Sequence, residues 1–267
     1  MAETGETAWP LRSSGTPPLR TVFFDLGDTL MHVHPDVPTL YRQTCAELGV
    51  EADAAAIAVA LSAGEHLYRD ALRSGRTFEC SMSDARAFWQ EYNEMILTHL
   101  GVDRRRAELA QALSERFWEP HSWRVFPEVH GVLSALRESG LRLAVISNFT
   151  DALLAVCETH ELAGYFECLV ASASTGSQKP DAGIFREALH RTGADPETSL
   201  HVGDNYVADV LGARGSGIDG VLVDRTRAGG AGMFDFTLRP GLGGSRGVRL
   251  DCPVIADLRP LTALAAR

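Results

Sequence analysis

Four short segments hold the side chains with the richest chemistry in this 267-residue chain. They are Asp25-Leu26-Gly27-Asp28-Thr29, Val145-Ile146-Ser147-Asn148, Lys179-Pro180-Asp181 and Val202-Gly203-Asp204-Asn205-Tyr206-Val207-Ala208-Asp209. Their residue types suit phosphoryl transfer. A carboxylate such as Asp25 can attack phosphorus and carry the phosphoryl group as an aspartyl-phosphate. Asp25 and Asp204 can hold Mg²⁺, a hard cation that takes a few carboxylates and keeps room for water and phosphate. The Ser147 hydroxyl and the Lys179 ammonium can bind the non-bridging phosphoryl oxygens, where charge develops. Lys179 also offsets the repulsion between these carboxylates and an incoming phosphate. Each segment alone reads equally well as a turn or a helix cap. It is their order and placement that point to one site.

Placement follows from the elements around them. Val22 to Phe24 is an apolar run that stops at Asp25, which reads as a buried strand ending on a carboxylate. From Trp123 onward strands and helices alternate. Pro127 to Ser139 is a helix, Leu141 to Ile146 a strand, Asp151 to His160 a helix and Cys168 to Ala171 a strand. Asp181 to Thr192 is a helix, Leu200 to Val202 a strand, Val207 to Arg214 a helix and Val221 to Val223 a strand. Such a βαβ series implies a parallel sheet covered on both faces. In open sheets of this kind, ligands sit at the carboxyl ends of the strands, where the four segments fall.

Residues 36–122 have a different texture. Helical spacing, Ser and Asp at starts, and Gly49, Gly75, Gly101 or Pro120 at stops predict four helices packed as a small bundle. This block interrupts the α/β pattern between the first strand and the rest. It therefore reads as an insertion between residues 21–35, the first strand and a following flap, and a continued core over 123–267. Within that core, 225–249 is a Gly- and Arg-rich loop with no regular pattern, and Leu258 to Ala266 is a closing helix. Residues 1–20 are polar and read as a disordered tail.

Composition narrows the setting. The formal charge of −10 argues against a general affinity for nucleic acid or anionic membranes. Five scattered cysteines without a Cys-x-x-Cys pair argue against a disulfide framework or zinc site, and fit a reducing, cytoplasmic location. No apolar run reaches the roughly 20 residues of a membrane helix, and residues 1–20 lack a signal peptide's apolar stretch.

The ordered set of motifs resembles the haloacid dehalogenase superfamily from Thr21 to about Val223. The segments Leu141 to Phe149 and His201 to Tyr206 are similar to one branch of it in particular. The resemblance implies a Rossmann-like three-layer α/β/α core with a parallel sheet, and an inserted all-helical cap of type 1. It implies that Asp25 is the nucleophile. The Gly27 backbone carbonyl and Asp204 join Asp25 as metal ligands. Ser147, Asn148 and Lys179 form the phosphate site, and Asp209 supports the metal or Lys179.

One position departs from that pattern. In phosphatase members the residue at Gly27 is a second Asp, which protonates the leaving oxygen and then activates water. Glycine does neither, and losing a general acid/base costs about 10²–10⁴ in rate. Asp28, His32 and His34 are the nearest candidates to replace it. For Asp28, alternation along an extended segment predicts a side chain facing away from the crevice. The first expectation is a Mg²⁺-dependent phosphatase of small phosphorylated metabolites, slowed or served by an acid from elsewhere. The alternatives are a metal-independent 2-haloacid dehalogenase and a non-catalytic phosphate-recognising module. Dehalogenases of that branch also lack the second Asp, but typically carry Ser where this chain has Asp204. In the helical block, Arg42, Arg69, Arg73, Arg86 and Trp89 are candidate substrate contacts.

Overall fold

The computed structural model describes residues 17–228 and 251–264; the side chains of 72, 73, 227 and 228 fall outside that description. A six-stranded parallel sheet forms the centre. In chain order its strands are β1 (Thr21–Phe24), β4 (Arg142–Ser147), β5 (Leu169–Ala171), β6 (Ser199–Gly203), β7 (Asp219–Val223) and β8 (Val254–Ile255). Their spatial order is β5-β4-β1-β6-β7-β8. A separate antiparallel pair, β2 (Met31–Val33) and β3 (Trp123–Val125), closes the base of the helical block.

Burial follows from position in the sheet. Every residue of β1 is buried, as a central parallel strand with both faces covered requires. Alternation then sends its side chains to two layers. Val22 and Phe24 join a core that includes Val129, Val132, Leu133 and Leu136 of α5 (Val129–Glu138) and Val156 of α6 (Leu153–Thr159). Phe23 joins Ala144, Ile146, Ile184, Phe185 and Ala188 on the other face, where α8 (Ala182–Thr192) and α9 (Gly212–Arg214) pack. A single turn, α7 (Ser172–Thr175), follows β5. The α/β expectation therefore holds, with three layers.

Between β2 and β3 lie α1 (Val37–Glu47), α2 (Ala54–Arg73), α3 (Met82–His99) and α4 (Arg106–Trp118). Their ends obey local rules. Asp36 caps α1 by accepting from the Thr39 amide at 2.9 Å, and Ser81 caps α3 through the Asp84 amide at 3.1 Å. Gly49 and Gly101 take positive φ just past α1 and α3, where a Cβ would be strained. In the interior, Tyr41 Oη donates to Asn93 Oδ1 at 2.6 Å and Asn93 Nδ2 donates to Ser114 Oγ at 2.9 Å, so the buried polar groups of three helices satisfy one another. No helix among the described residues is long and apolar enough to cross a membrane.

Several details differ from the sequence reading. The β2–β3 pair and β8 are additional strands, each of three residues or fewer and too short for a periodic signal. The region expected as a helix over Val207 to Arg214 begins as a π-helical segment, Tyr206–Leu211, and only then becomes α9. The closing helix is a 3₁₀ segment, Arg259–Leu264. Arg225–Ala228 forms a 3₁₀ turn, while 229–249 of the expected loop, like 1–16 of the expected tail, lies outside the described residues.

Candidate active site

Sheet register places the first motif between two others. Phe24 pairs with Val145 of β4 on one side and Val202 of β6 on the other. Asp25 is the next residue, and its amide donates to the Val202 carbonyl at 2.9 Å. Beyond β1 the chain turns outward to β4 and β5 on one side, and to β6, β7 and β8 on the other. The strand order thus reverses at β1 and opens a crevice at its carboxyl end. Ser147, at the end of β4, and Asp204, just past β6, border the same crevice.

Lys179 ties the floor together. Its Nζ lies 2.6 Å from Asp25 Oδ1 and 2.6 Å from Asp209 Oδ1, and all three side chains are buried. Asp209 also takes His201 Nε2 at 2.9 Å and the Asn205 amide at 2.9 Å. A Cβ on Gly203 would overlap the Asp209 carboxyl, so glycine at that position is what lets Asp209 reach inward. Asp209, expected to support the metal or Lys179, is placed on Lys179. Asn148, expected among the phosphate groups, has its carboxamide on the Lys179 peptide: Oδ1 accepts from Lys179 N at 2.7 Å and Nδ2 donates to Lys179 O at 3.0 Å. Its side chain positions Lys179, and the residue also lines the cavity beside Ser147.

Asp28 corrects an expectation. The Asp28 backbone sits at φ 49°, in the left-handed region, so the segment is a turn and the alternation rule for extended chain fails. Asp28 is buried and lines the cavity with Asp25 and Asp204. The turn is pinned by Arg225. Its Nε donates to the Asp28 carbonyl at 2.9 Å, another nitrogen reaches the Thr29 carbonyl, Nη1 pairs with Glu128 at 2.8 Å, and the guanidinium lies over the Phe126 ring. By contrast, His32 and His34 stand apart from the cavity on and beside β2. His32 packs on Phe126, and burial holds its ring below the usual imidazole range.

The electrostatics are those of crowded carboxylates. Burial, then the charges of Asp25, Asp28 and Asp209, push Asp204 well above the ordinary carboxylate range. Burial also raises Asp25, with Lys179 opposing it. Asp209 goes the other way: against burial, Lys179 and His201 hold it well below that range. Lys179 is kept protonated by Asp209 and Asp25 despite its burial. Oxygens of Asp25, Asp204 and Asp209 all lie within 4.8 Å of one another, so the site offers a compact hard-oxygen donor set.

The floor opens into a cavity of about 150 Å³. From the helical block, Tyr41, Tyr68, Trp89, Phe117 and Trp118 face it, with Glu79. Of the five candidate contacts there, Trp89 lines the cavity. Arg42 and Arg86 are exposed, Arg69 pairs with Glu65 along α2, and the Arg73 side chain lies outside the described residues. Glu79 was not among the expected site residues. It sits in the segment between α2 and α3, and no periodic pattern marks it. Its loop is fixed to the core: Gln178 Oε1 accepts from the Phe78 and Glu79 amides, each at 2.8 Å. His201 was also missed, although a histidine in an otherwise apolar buried strand is a legible signal.

Comparison with known proteins agrees with this architecture. The haloacid dehalogenase-like hydrolase family matches residues 19–217. The chain is 30% identical to haloacid dehalogenase-like hydrolase domain-containing protein 3 of Bos taurus, covering 77% of this chain and 82% of that one. It is also 30% identical to a phosphoserine phosphatase of Thermus thermophilus, covering 78% and 89%. Among solved structures, a HAD-hydrolase of Bacillus subtilis bound to magnesium superposes with a TM-score of 0.73 at 18% identity, covering 93% and 99%. A 2-haloacid dehalogenase of Pseudomonas syringae superposes at 0.60 with 25% identity, covering 93% and 98%. With its motif order, strand order and strand-end carboxylates alike, the chain belongs to the haloacid dehalogenase-like hydrolases.

Proposed function

We propose that this chain is a Mg²⁺-dependent phosphatase of small phosphorylated metabolites, acting through an aspartyl-phosphate on Asp25. The observation that carries this reading is the Asp25–Lys179–Asp209 bridge beside Asp204. A buried ammonium between two carboxylates, with a further carboxylate next to them, suits a site that receives a dianion and a divalent cation together. The donor set fits Mg²⁺, since every candidate ligand is a hard oxygen, and the burial and carboxylate repulsion that raise Asp204 are what a bound cation offsets. Asp25, Asp204 and the Gly27 carbonyl would hold the ion, whose chemistry is neutralising charge on the phosphoryl oxygens.

The chain's own groups then divide the work. Asn148 fixes the Lys179 backbone, and Asp209 with His201 fixes its ammonium. Lys179 favours the ionised, oriented form of Asp25 and, with Ser147, binds phosphoryl oxygens. An Asp25 oxygen attacks phosphorus while the P–O bond to the leaving group breaks. Water then attacks the same phosphorus and releases Asp25 and phosphate. The helical block acts as a cap over the cavity of about 150 Å³, which suits a small ester. The phosphatase name of the Thermus relative supports the same reaction class. Asp204 favours this reading over metal-independent dehalogenation.

The test is phosphate release from a panel of small phosphate esters, with and without Mg²⁺, beside Asp25→Asn. Turnover is expected to need the ion and to fall at least about 10³-fold in the variant. Halide release from 2-chloropropionate without metal would replace the reading with a dehalogenase. Phosphate-analogue binding without turnover would replace it with a recognition module.

A further inference from the structure

The proposed reaction leaves a proton unassigned. The departing oxygen needs one when the leaving group is an alkoxide, and Gly27 has no side chain to give it. Geometry limits where a donor can stand. Asp25 rises from the end of β1 and attacks from the floor. In-line displacement puts the leaving oxygen on the opposite side of phosphorus, toward the helical block. Among the described residues that line the cavity, Glu79 is the one carboxyl that block contributes.

Glu79 is held in place from two directions. Its amide and that of Phe78 are anchored on Gln178, the residue before Lys179. The Phe78 ring stacks on Phe88 at 4.0 Å, which fixes the loop against α3. The Trp89 side chain, which lines the same cavity, favours the ionised Glu79 carboxyl against its burial. The groups bearing on that carboxyl are Lys179 and Asp25 from the core, Tyr68 from α2 and Trp89 from α3. Glu79 is 7% exposed, in a wall otherwise made largely of aromatic rings.

We propose that Glu79 is the general acid/base of this site, supplied by the helical block in place of a second aspartate at Gly27. The inference rests on the phosphatase reading and adds the residue that completes it. The Glu79 carboxyl gives its proton to the leaving oxygen as the P–O bond breaks, releasing an alcohol. The carboxylate then takes a proton from the water that attacks the aspartyl-phosphate, which yields phosphate and restores the acid. Burial prepares Glu79 for this: it pushes the carboxyl up to about 8, above what Lys179 and Trp89 would otherwise set, so the protonated form is present at neutral pH. Asp28 also lines the cavity, but it is placed by the floor turn beside Asp204 rather than by the wall that faces Asp25.

The experiment compares kcat/KM for an alkyl phosphate and for p-nitrophenyl phosphate in the wild type, Glu79→Gln and Asp28→Asn, all with Mg²⁺. This ratio reports the steps through loss of the leaving group. For Glu79→Gln, a fall of about 10²-fold or more is expected on the alkyl ester. The loss should shrink to a few-fold on the nitrophenyl ester, whose phenolate leaves without a proton. Equal losses on both esters, or a loss confined to amino-bearing phosphates, would make Glu79 a structural or recognition residue and overturn the proposal. An ester-selective loss in Asp28→Asn instead would move the role there. If Glu79→Gln does not fold, the wild-type leaving-group series decides: a shallow dependence supports a proton donor, and a steep one excludes it. Absence of Mg²⁺-dependent turnover of either ester would remove the phosphatase reading, and this proposal with it.

Discussion

The floor of the cavity and its roof use different physics. At the ends of β1, β4 and β6 the floor is charged and cross-braced, with Lys179 held between Asp25 and Asp209, and His201 and Asn205 behind them. The roof, from α1 to α4, is mostly aromatic; Tyr68 stacks on Trp89 and packs edge-on against Phe78 and Phe88. Its polar groups largely satisfy each other, as Tyr41, Asn93 and Ser114 do, and it adds one carboxyl. In the floor, Lys179 fixes Asp25 and Asp209 by opposite charge, so position and protonation state are set together, while Asp204 stands among like charges. In the roof, shape and low polarity dominate, and Glu79 answers chiefly to burial. A reaction centre needs the first arrangement. A surface that closes over varied leaving groups is served by the second.

That contrast breaks if floor substitutions act mildly or if the roof lacks its own titration. The largest effect is expected from Lys179→Met, which leaves Asp25 and Asp209 facing each other without their cation. Removing one partner of a buried ionic set costs about 3–5 kcal/mol. Urea unfolding should show a loss of this size, with turnover reduced on every ester alike. Retention of wild-type stability would mean that the bridge is not what organises the floor.

Gly203→Ala comes next. Its methyl would collide with the Asp209 carboxyl, and overpacking of a tight interior costs about 1–3 kcal/mol. Activity should fall with stability, because Asp209 loses its hold on Lys179. A variant with normal melting and normal turnover would show that Asp209 tolerates displacement.

The last test sharpens the roof, and it reads a change with pH rather than a loss at one pH. Glu79 is raised from an ordinary 4.5 to about 8, so between those values the folded protein keeps a proton that the unfolded chain has released. Stability therefore falls as pH rises across that window and levels off above it. Glu79→Gln should lose this component. Relative to wild type, it should gain stability in melts moved from about pH 5 to about pH 8. Parallel pH profiles for the two proteins would deny Glu79 its raised titration.

Much of the floor was legible in the chain itself. A carboxylate after an apolar strand, repeated with Ser147, Lys179 and Asp204 in a fixed order, identifies the strands and their parallel pairing, and it is the source of the phosphoryl chemistry proposed above. The helical insertion was legible because caps and apolar spacing are local properties. The placement of Asp28, the hold of the Asn148 carboxamide on Lys179 and the part of Glu79 in the cavity were not legible, and for one reason. Their roles depend on where a side chain points after the backbone has turned or a distant segment has docked. For Asp28 a left-handed turn, pinned by an arginine nearly two hundred residues away, overrode the extended-strand rule. For Asn148 the nearest polar partner was the peptide of Lys179, reached only after α6, β5 and the α7 turn. For Glu79 a loop docked on Gln178 removed a carboxyl from water. Residue type and order thus determined the family and the set of reactive groups this chain carries. Only the tertiary structure decided which groups share its cavity, because burial and the company of other charges exist only once the chain has closed on itself.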